Sequence, residues 1–421
     1  MNRDVVAGAV PTAIDLPGRL RLAVWSDRLA VWSLIGLAAV MPFAHTGRIQ
    51  SALLAAAIAG WLGRWSCDPG FRWTRTPVDL PMALLVAWGI VALVTAVDAA
   101  YSAREIKNEL VTQAVLFVLG VSVAHRARDV AALAWAVAVA GLVMGGYAVW
   151  QFDWRLDTVL DTVLTRAVRT VSFTSDSIFL SSYLVLAIPV VFFLALEVRH
   201  RAARFAAWSI WFVLILALVS TVTRAAWGAV LVQLLIYGAV LNRRVLVGWC
   251  LLAAAVVVAF LAVPSFQQTI VGSGWFQDSG RLVYWSHIIP HVADRPLTGF
   301  GYGQETPDRA FPGIRQATPA IDSTHAFNSF IEIMLELGLV GLGVFCWVLW
   351  RVGATVWRTI RTGGRDSADR TLLVCILMIL VGFIIRNQVD HLFRDAPGHL
   401  FWILMGLGVG RAVARPSDSA S

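Results

Sequence analysis

Four polar side chains stand close together in an otherwise apolar run, "DSTHAFNSFIEIMLELGLVG" at residues 322–341: His325, Asn328, Glu332 and Glu336. Imidazole is the side chain whose unperturbed pKa suits proton transfer near neutral pH. If Ser323 or Thr324 caps a helix running to Gly338, about 100° per residue puts His325, Glu332 and Glu336 within about 20° of one line. Asn328 then lies about 60° away, and Phe327, Phe330, Met334 and Leu337 take the opposite face. A polar stripe on a helix entering a membrane should face protein or a cavity, because lipid penalises it. The two glutamates also fit plain structural pairing with arginines. The histidine at the helix mouth is therefore the first candidate for chemistry.

Two other short stretches hold cations. "STVTRAAWGAV" sets Arg224 at the junction of two apolar runs with hardly any loop to keep it in water. Either it snorkels to an interface or it points inward, toward whatever His325 and Arg281 face. "DSGRLVYWSHIIPHV" begins with Asp278 and Ser279, good N-cap residues, and puts Arg281 in the first turn of a helix. Arg281, Tyr284 and Trp285 share one face of that helix. Next comes "RPLTGFGYGQ", a glycine-hinged turn in which Gly301 and Gly303 bracket Tyr302.

The elements that must position these residues are apolar helices. The chain has 421 residues, 58% hydrophobic and 14% charged, against about 25% charged in a soluble domain. Apolar runs of membrane-spanning length recur along it, at 28–44, 48–64, 79–97, 108–125, 129–150, 178–197, 203–220, 224–241, 244–263, 338–358, 369–388 and 397–412. The expected fold is an all-α polytopic membrane protein with about twelve spans. Residues 1–263 carry the first nine spans, 264–337 form a long loop with short helices, and 338–421 carry the last three. With the N-terminus inside, about 21 of the 34 basic residues fall in inside segments, as the positive-inside rule requires. Both termini are then cytoplasmic, and the long connections 151–177 and 264–337 lie outside, where loops of such length are usually functional.

The net charge of +8 is mostly this topological signal, and Lys107 is the sole lysine. A coding bias toward arginine accounts for that more simply than phosphate binding does. The first 27 residues lack a cleavage pattern after a short apolar core, so no cleaved signal peptide is expected. Cys250, Cys346 and Cys375 fall within spans and Cys67 in an inside loop, which predicts no disulfide. Zinc-ligand spacing, a Walker loop and nucleic-acid motifs are all absent from the sequence.

"TRAAW", then "SGRLVYW" with "RPLTGFGYG", then "HAFNSFIEIMLELGLVG" occur in the order and spacing of the O-antigen ligase and polymerase family, which the chain resembles from about 215 to 345. The most specific part is His-x-x-Asn with the downstream glutamates and Gly-x-x-Gly. Phe327 stands where many relatives carry a second histidine, which leaves His325 as the only base candidate in this motif.

That resemblance implies a GT-C-like membrane fold and transfer of a glycan from undecaprenyl diphosphate to an acceptor on the periplasmic side of the inner membrane. A diphosphate is already a good leaving group and needs positive charge on its developing oxygens, which arginine forks supply. Arg224 and Arg281 are the expected clamp, His325 the expected base, and Tyr284, Trp285, Gly301, Tyr302, Asn328 and Glu332 the supporting residues. Neighbouring arginines should keep His325 neutral. No Asp-x-Asp motif appears, so neither a divalent metal nor any other cofactor is expected, and a single displacement would invert the anomeric centre.

Three functions compete within the family: a ligase delivering O-antigen to lipid A–core, a polymerase, and a protein glycosyltransferase. Protein-directed relatives are generally longer, and this chain closes with a short polar tail, so ligase is the favoured expectation and polymerase the next. A secondary transporter would be a different class with a similar span count. The spans read as nearly free of buried ionisable residues and show no half-to-half repeat, which speaks against it.

Overall fold

The computed structural model describes residues 18–155, 170–174, 176–262, 281–314, 325–363 and 367–414. Among them every regular element is helical. The long helices are α1 (Gly18–Val40), α2 (Gly47–Cys67), α3 (Asp79–Ala92), α4 (Ala99–Val123), α5 (Ala127–Gln151), α6 (Ser177–Glu197), α7 (Arg201–Ser220), α8 (Arg224–Val240) and α9 (Arg243–Ala262). Two short ones follow, α10 (Arg281–Ile288) and α11 (Thr306–Ala310). The chain then closes with α12 (Ser329–Thr362), α13 (Ser367–Arg386) and α14 (Asp395–Val413).

Seven of these helices (α1, α4, α5, α6, α7, α12 and α13) are long and apolar enough to cross a membrane, and α3 and α8 are apolar but shorter. Large apolar side chains such as Trp25, Trp32, Trp150, Phe205 and Phe212 are exposed on the outside of the bundle. A soluble surface would not carry so many. This is the architecture of a polytopic membrane protein.

At the centre stand α6 and α14, apolar and buried almost all round, as expected of helices surrounded by other helices. Around them α6 packs on α7 and α13, α13 on α8, α14 on the second half of α4, α1 on α2, and α3 on α12. Three helices outrun their apolar cores, with α1 starting at Gly18, α4 at Ala99 and α12 at Ser329. Their extra turns carry charge that other elements neutralise. Asp27 of α1, for example, meets Arg64 at 2.6 Å and Arg126 at 2.5 Å.

The expectation of spans nearly free of buried ionisable groups is corrected here. Asp27, Glu109, Asp369, Arg386 and Arg411 are all buried within helices. Each has a partner, as with Arg411 and Asp369 at 2.6 Å or Glu109 and His399 at 3.3 Å. These pairs tie helix to helix. Cys67, expected in a loop, closes α2, and all four cysteines are free thiols.

The break inside α12 matters most for the site. Gly338, expected to stop a helix, leaves helical geometry at φ 70° and ψ −175°, and the helix resumes beyond it. A break strands the preceding carbonyls, which must find other donors. The glycine-rich loop provides them. Phe300 N donates to Leu335 O at 2.9 Å and Gly301 N to Glu336 O at 3.0 Å, while the Trp88 indole donates to Leu337 O at 2.9 Å. Backbone meets backbone so closely that a Cβ on Gly338 would lie 2.2 Å from Leu297 O.

Gly338→Ala should therefore cost more than the roughly 1–3 kcal/mol of a left-handed non-glycine residue, because the clash adds to the strain. The melting temperature of purified protein in detergent measures it. A Tm equal to wild type would mean that the break is not needed.

Candidate functional site

His325 lies in the loop just before α12, and the expected helical stripe is not what positions it. Ser323 and Thr324, the expected caps, lie outside the described residues, and the helix begins at Ser329 with Asn328 as its N-cap. Asn328 Oδ1 accepts from Phe330 N at 2.9 Å and Ile331 N at 3.2 Å, and its Nδ2 donates to Gln388 O at 2.9 Å. That amide is committed to the backbone, as capping asparagines are. It shapes the turn that carries His325 and does not orient the ring.

The other neighbours hold the same turn. Glu332, fully buried, folds back so that Oε2 accepts from Ala326 N at 2.6 Å. The Trp285 indole donates to Ala326 O at 2.6 Å from α10. Tyr284 is buried and meets Phe327 edge-on, with ring centroids 6.2 Å apart. Phe327 itself sits at φ 51°, and the Arg281 guanidinium covers its ring at 5.2 Å. The expected common face of Arg281, Tyr284 and Trp285 is thus the face of α10 that grips residues 325–327. The expected caps of α10, Asp278 and Ser279, lie outside the described residues.

Arg224 and Arg281 come together as expected. They line one cavity of about 240 Å³, with Thr223, Ile178 and two residues that the sequence did not single out, Arg386 and Asp390. Arg224 opens α8, where the positive end of the helix dipole favours anions. Arg281 stands 3.8 Å from Asp390, and buried Arg386 pairs with the same carboxylate. Among the described residues three guanidiniums and one carboxylate line the pocket, which leaves it cationic.

A second cavity, about 540 Å³, adjoins the first through Ile178 and Asp390. His325 lines it, and so does another histidine, His391, whose ring centroid lies 5.9 Å from that of His325. His391 arrives from the connection between α13 and α14, and its Nδ1 stands 3.7 Å from Glu332 Oε2. Burial pushes the imidazole of His325 below its ordinary pKa. Asp390 and Asp176 oppose that shift, while Arg281 and Arg394 reinforce it. His391 is held further down by burial, then by Arg394 and His325. Both rings are neutral near pH 7.

Gly301 and Tyr302 line neither cavity. Tyr302 is buried under the Arg394 guanidinium at 4.1 Å, and Gly301 belongs to the loop that caps the α12 break. Arg394 in turn binds Glu336 at 2.5 Å. The glutamate pairing that the sequence allowed is thus realised at Glu336.

Sequence reasoning missed Arg386, Asp390, His391 and Arg394. Their signal was present in "RNQVDHLFRDAP", a dense polar stretch between two apolar runs.

A family model described as O-antigen ligase matches residues 209–346. No curated protein matches the chain. The matched stretch contains Arg224, Arg281 and His325 and reaches past the α12 break. Over that stretch the chain is similar to the O-antigen ligase and polymerase type.

Proposed function

We propose that this protein is an O-antigen ligase, which moves O-antigen polysaccharide from undecaprenyl diphosphate to lipid A–core on the periplasmic face of the bacterial inner membrane. One observation carries the reading. A pocket lined by Arg224, Arg281 and Arg386 opens beside a cavity lined by His325. The arginine distribution supports cytoplasmic termini and twelve spans, with the site at the periplasmic end.

In this reading the donor diphosphate lies among the three arginines. His325 takes the proton of an acceptor hydroxyl, and that oxygen attacks the anomeric carbon as the bond to the diphosphate oxygen breaks. The glycan inverts at that carbon, the lipid diphosphate departs with the bonding pair, and the guanidiniums stabilise its new charge. They supply what a divalent metal would otherwise provide, so no metal takes part. Arg386 extends the two-arginine clamp, and Asp390 holds Arg281 and Arg386 in place.

A strain lacking the gene tests the reading through its lipopolysaccharide profile. Loss of the long ladder with accumulation of lipid-linked polymer is the expected result. A core capped by a single repeat would instead identify a polymerase, and an unchanged ladder would remove the protein from this pathway.

A further inference from the structure

The larger cavity differs in character from the arginine pocket beside it. It is assembled from five separate segments, represented by His45, Asp176, Gln304, His325 and His391 with Asp395. At about 540 Å³ it falls within the ~300–1,000 Å³ range of small-ligand sites. Among the described residues that line it none is an arginine or lysine, whereas Asp176, Asp390 and Asp395 all contribute. Phosphate would be repelled there. A neutral ligand rich in hydroxyls, each both donor and acceptor, suits carboxylates, imidazoles and amides.

Several of these polar groups are not committed to other parts of the protein, with His45 exposed at the rim and Gln304 half-buried. The side chains of His45 and Gln304 make no hydrogen bond among the described residues. Among the described residues neither ring nitrogen of His391 has a hydrogen-bond partner, although only 3% of that side chain is exposed. His45 also sits at φ 63°, a conformation that residues other than glycine rarely adopt. It is kept there by a braced turn, in which Thr46 Oγ1 donates to Phe43 O at 2.6 Å and Ala44 N to Phe173 O at 2.9 Å.

We propose that this cavity is the acceptor subsite, that it takes an uncharged sugar, and that His45 and Gln304 are specificity-determining residues that hydrogen-bond it. The proposal rests on the transferase reading above. The acceptor hydroxyl would then lie against His325, and the donor would enter from the arginine pocket across Asp390.

Two measurements on the purified full chain test it: transfer from lipid-linked O-antigen to lipid A–core, and direct binding of lipid A–core without donor. His45→Ala and Gln304→Ala should each raise the acceptor KM about tenfold, with kcat and donor KM within about twofold of wild type. His45→Gln, which keeps a donor and an acceptor, should recover part of the loss. Gln304→Glu adds a charge at a partly exposed position and should still fold, so it guards against simple misfolding. It should penalise an acceptor whose terminal sugar carries a phosphate more than one whose terminal sugar is neutral. An unchanged acceptor KM in both alanine variants, or a donor KM that rises in step, overturns the subsite while leaving the transferase reading intact. Acceptor binding that depends on His45 and Gln304 in a wild-type protein that transfers nothing supports the subsite and overturns the transferase reading.

Discussion

Replacing His325 by alanine is expected to slow glycosyl transfer by about 10²–10⁴-fold, the usual loss on removing a general base, while binding of the lipid diphosphate persists. The separation follows from the geometry, because His325 lines the larger cavity and Arg224, Arg281 and Arg386 line the smaller one. The turn should survive, since Ala326 remains held by Glu332 and Trp285. Arg224→Lys and Arg281→Lys should show the complementary pattern. Each keeps its charge but loses the fork, so donor binding and transfer fall together while the protein still accumulates.

The pH profile gives a further readout. As the proposed base His325 must be neutral, and burial lowers its pKa. Activity should therefore hold below the ordinary histidine value of ~6.5 and fall only at more acidic pH. Transfer by His325→Ala within a few fold of wild type would make the histidine structural. Loss of donor binding along with transfer would place it in the phosphate site.

The largest expected loss of stability belongs to Arg394→Ala. This guanidinium is 4% exposed, binds Glu336 at 2.5 Å, stands 3.6 Å from Glu105 and covers the Tyr302 ring. Truncating one partner of a buried pair leaves the other charge without compensation, at a cost of about 3–5 kcal/mol. Here the stranded group is Glu336, at the α12 break, so the glycine loop should loosen as well. Thermal unfolding in detergent and the yield of membrane-inserted protein both measure this. Adding Glu336→Gln to Arg394→Ala removes the stranded charge and should restore part of the loss. If the single variant melts like wild type, the pair is not buried as described.

Apolar runs and arginine positions made the helices legible in the sequence, because lipid solvation acts on each segment by itself. Residue chemistry likewise singled out His325, Arg224 and Arg281, and the resemblance grouped them as one expected site. Where α12 begins was not legible. Ser323, Thr324 and Asn328 are all good caps, and local preference does not choose among them. The choice falls to the α13–α14 connection, whose Asn387 and Asp390 carbonyls accept from Ser329 N at 3.1 and 3.2 Å. His391, Arg386 and Arg394 were missed for the same reason. Helical periodicity relates residues within one element, whereas Arg394 meets Glu336 across 58 positions of chain. The sequence by itself determined an all-helical membrane protein and offered a candidate base and two candidate phosphate-binding arginines. Only the tertiary structure decided that the end of α13 supplies the third arginine and the connection after it the second histidine, because burying these polar groups requires partners that distant helices provide.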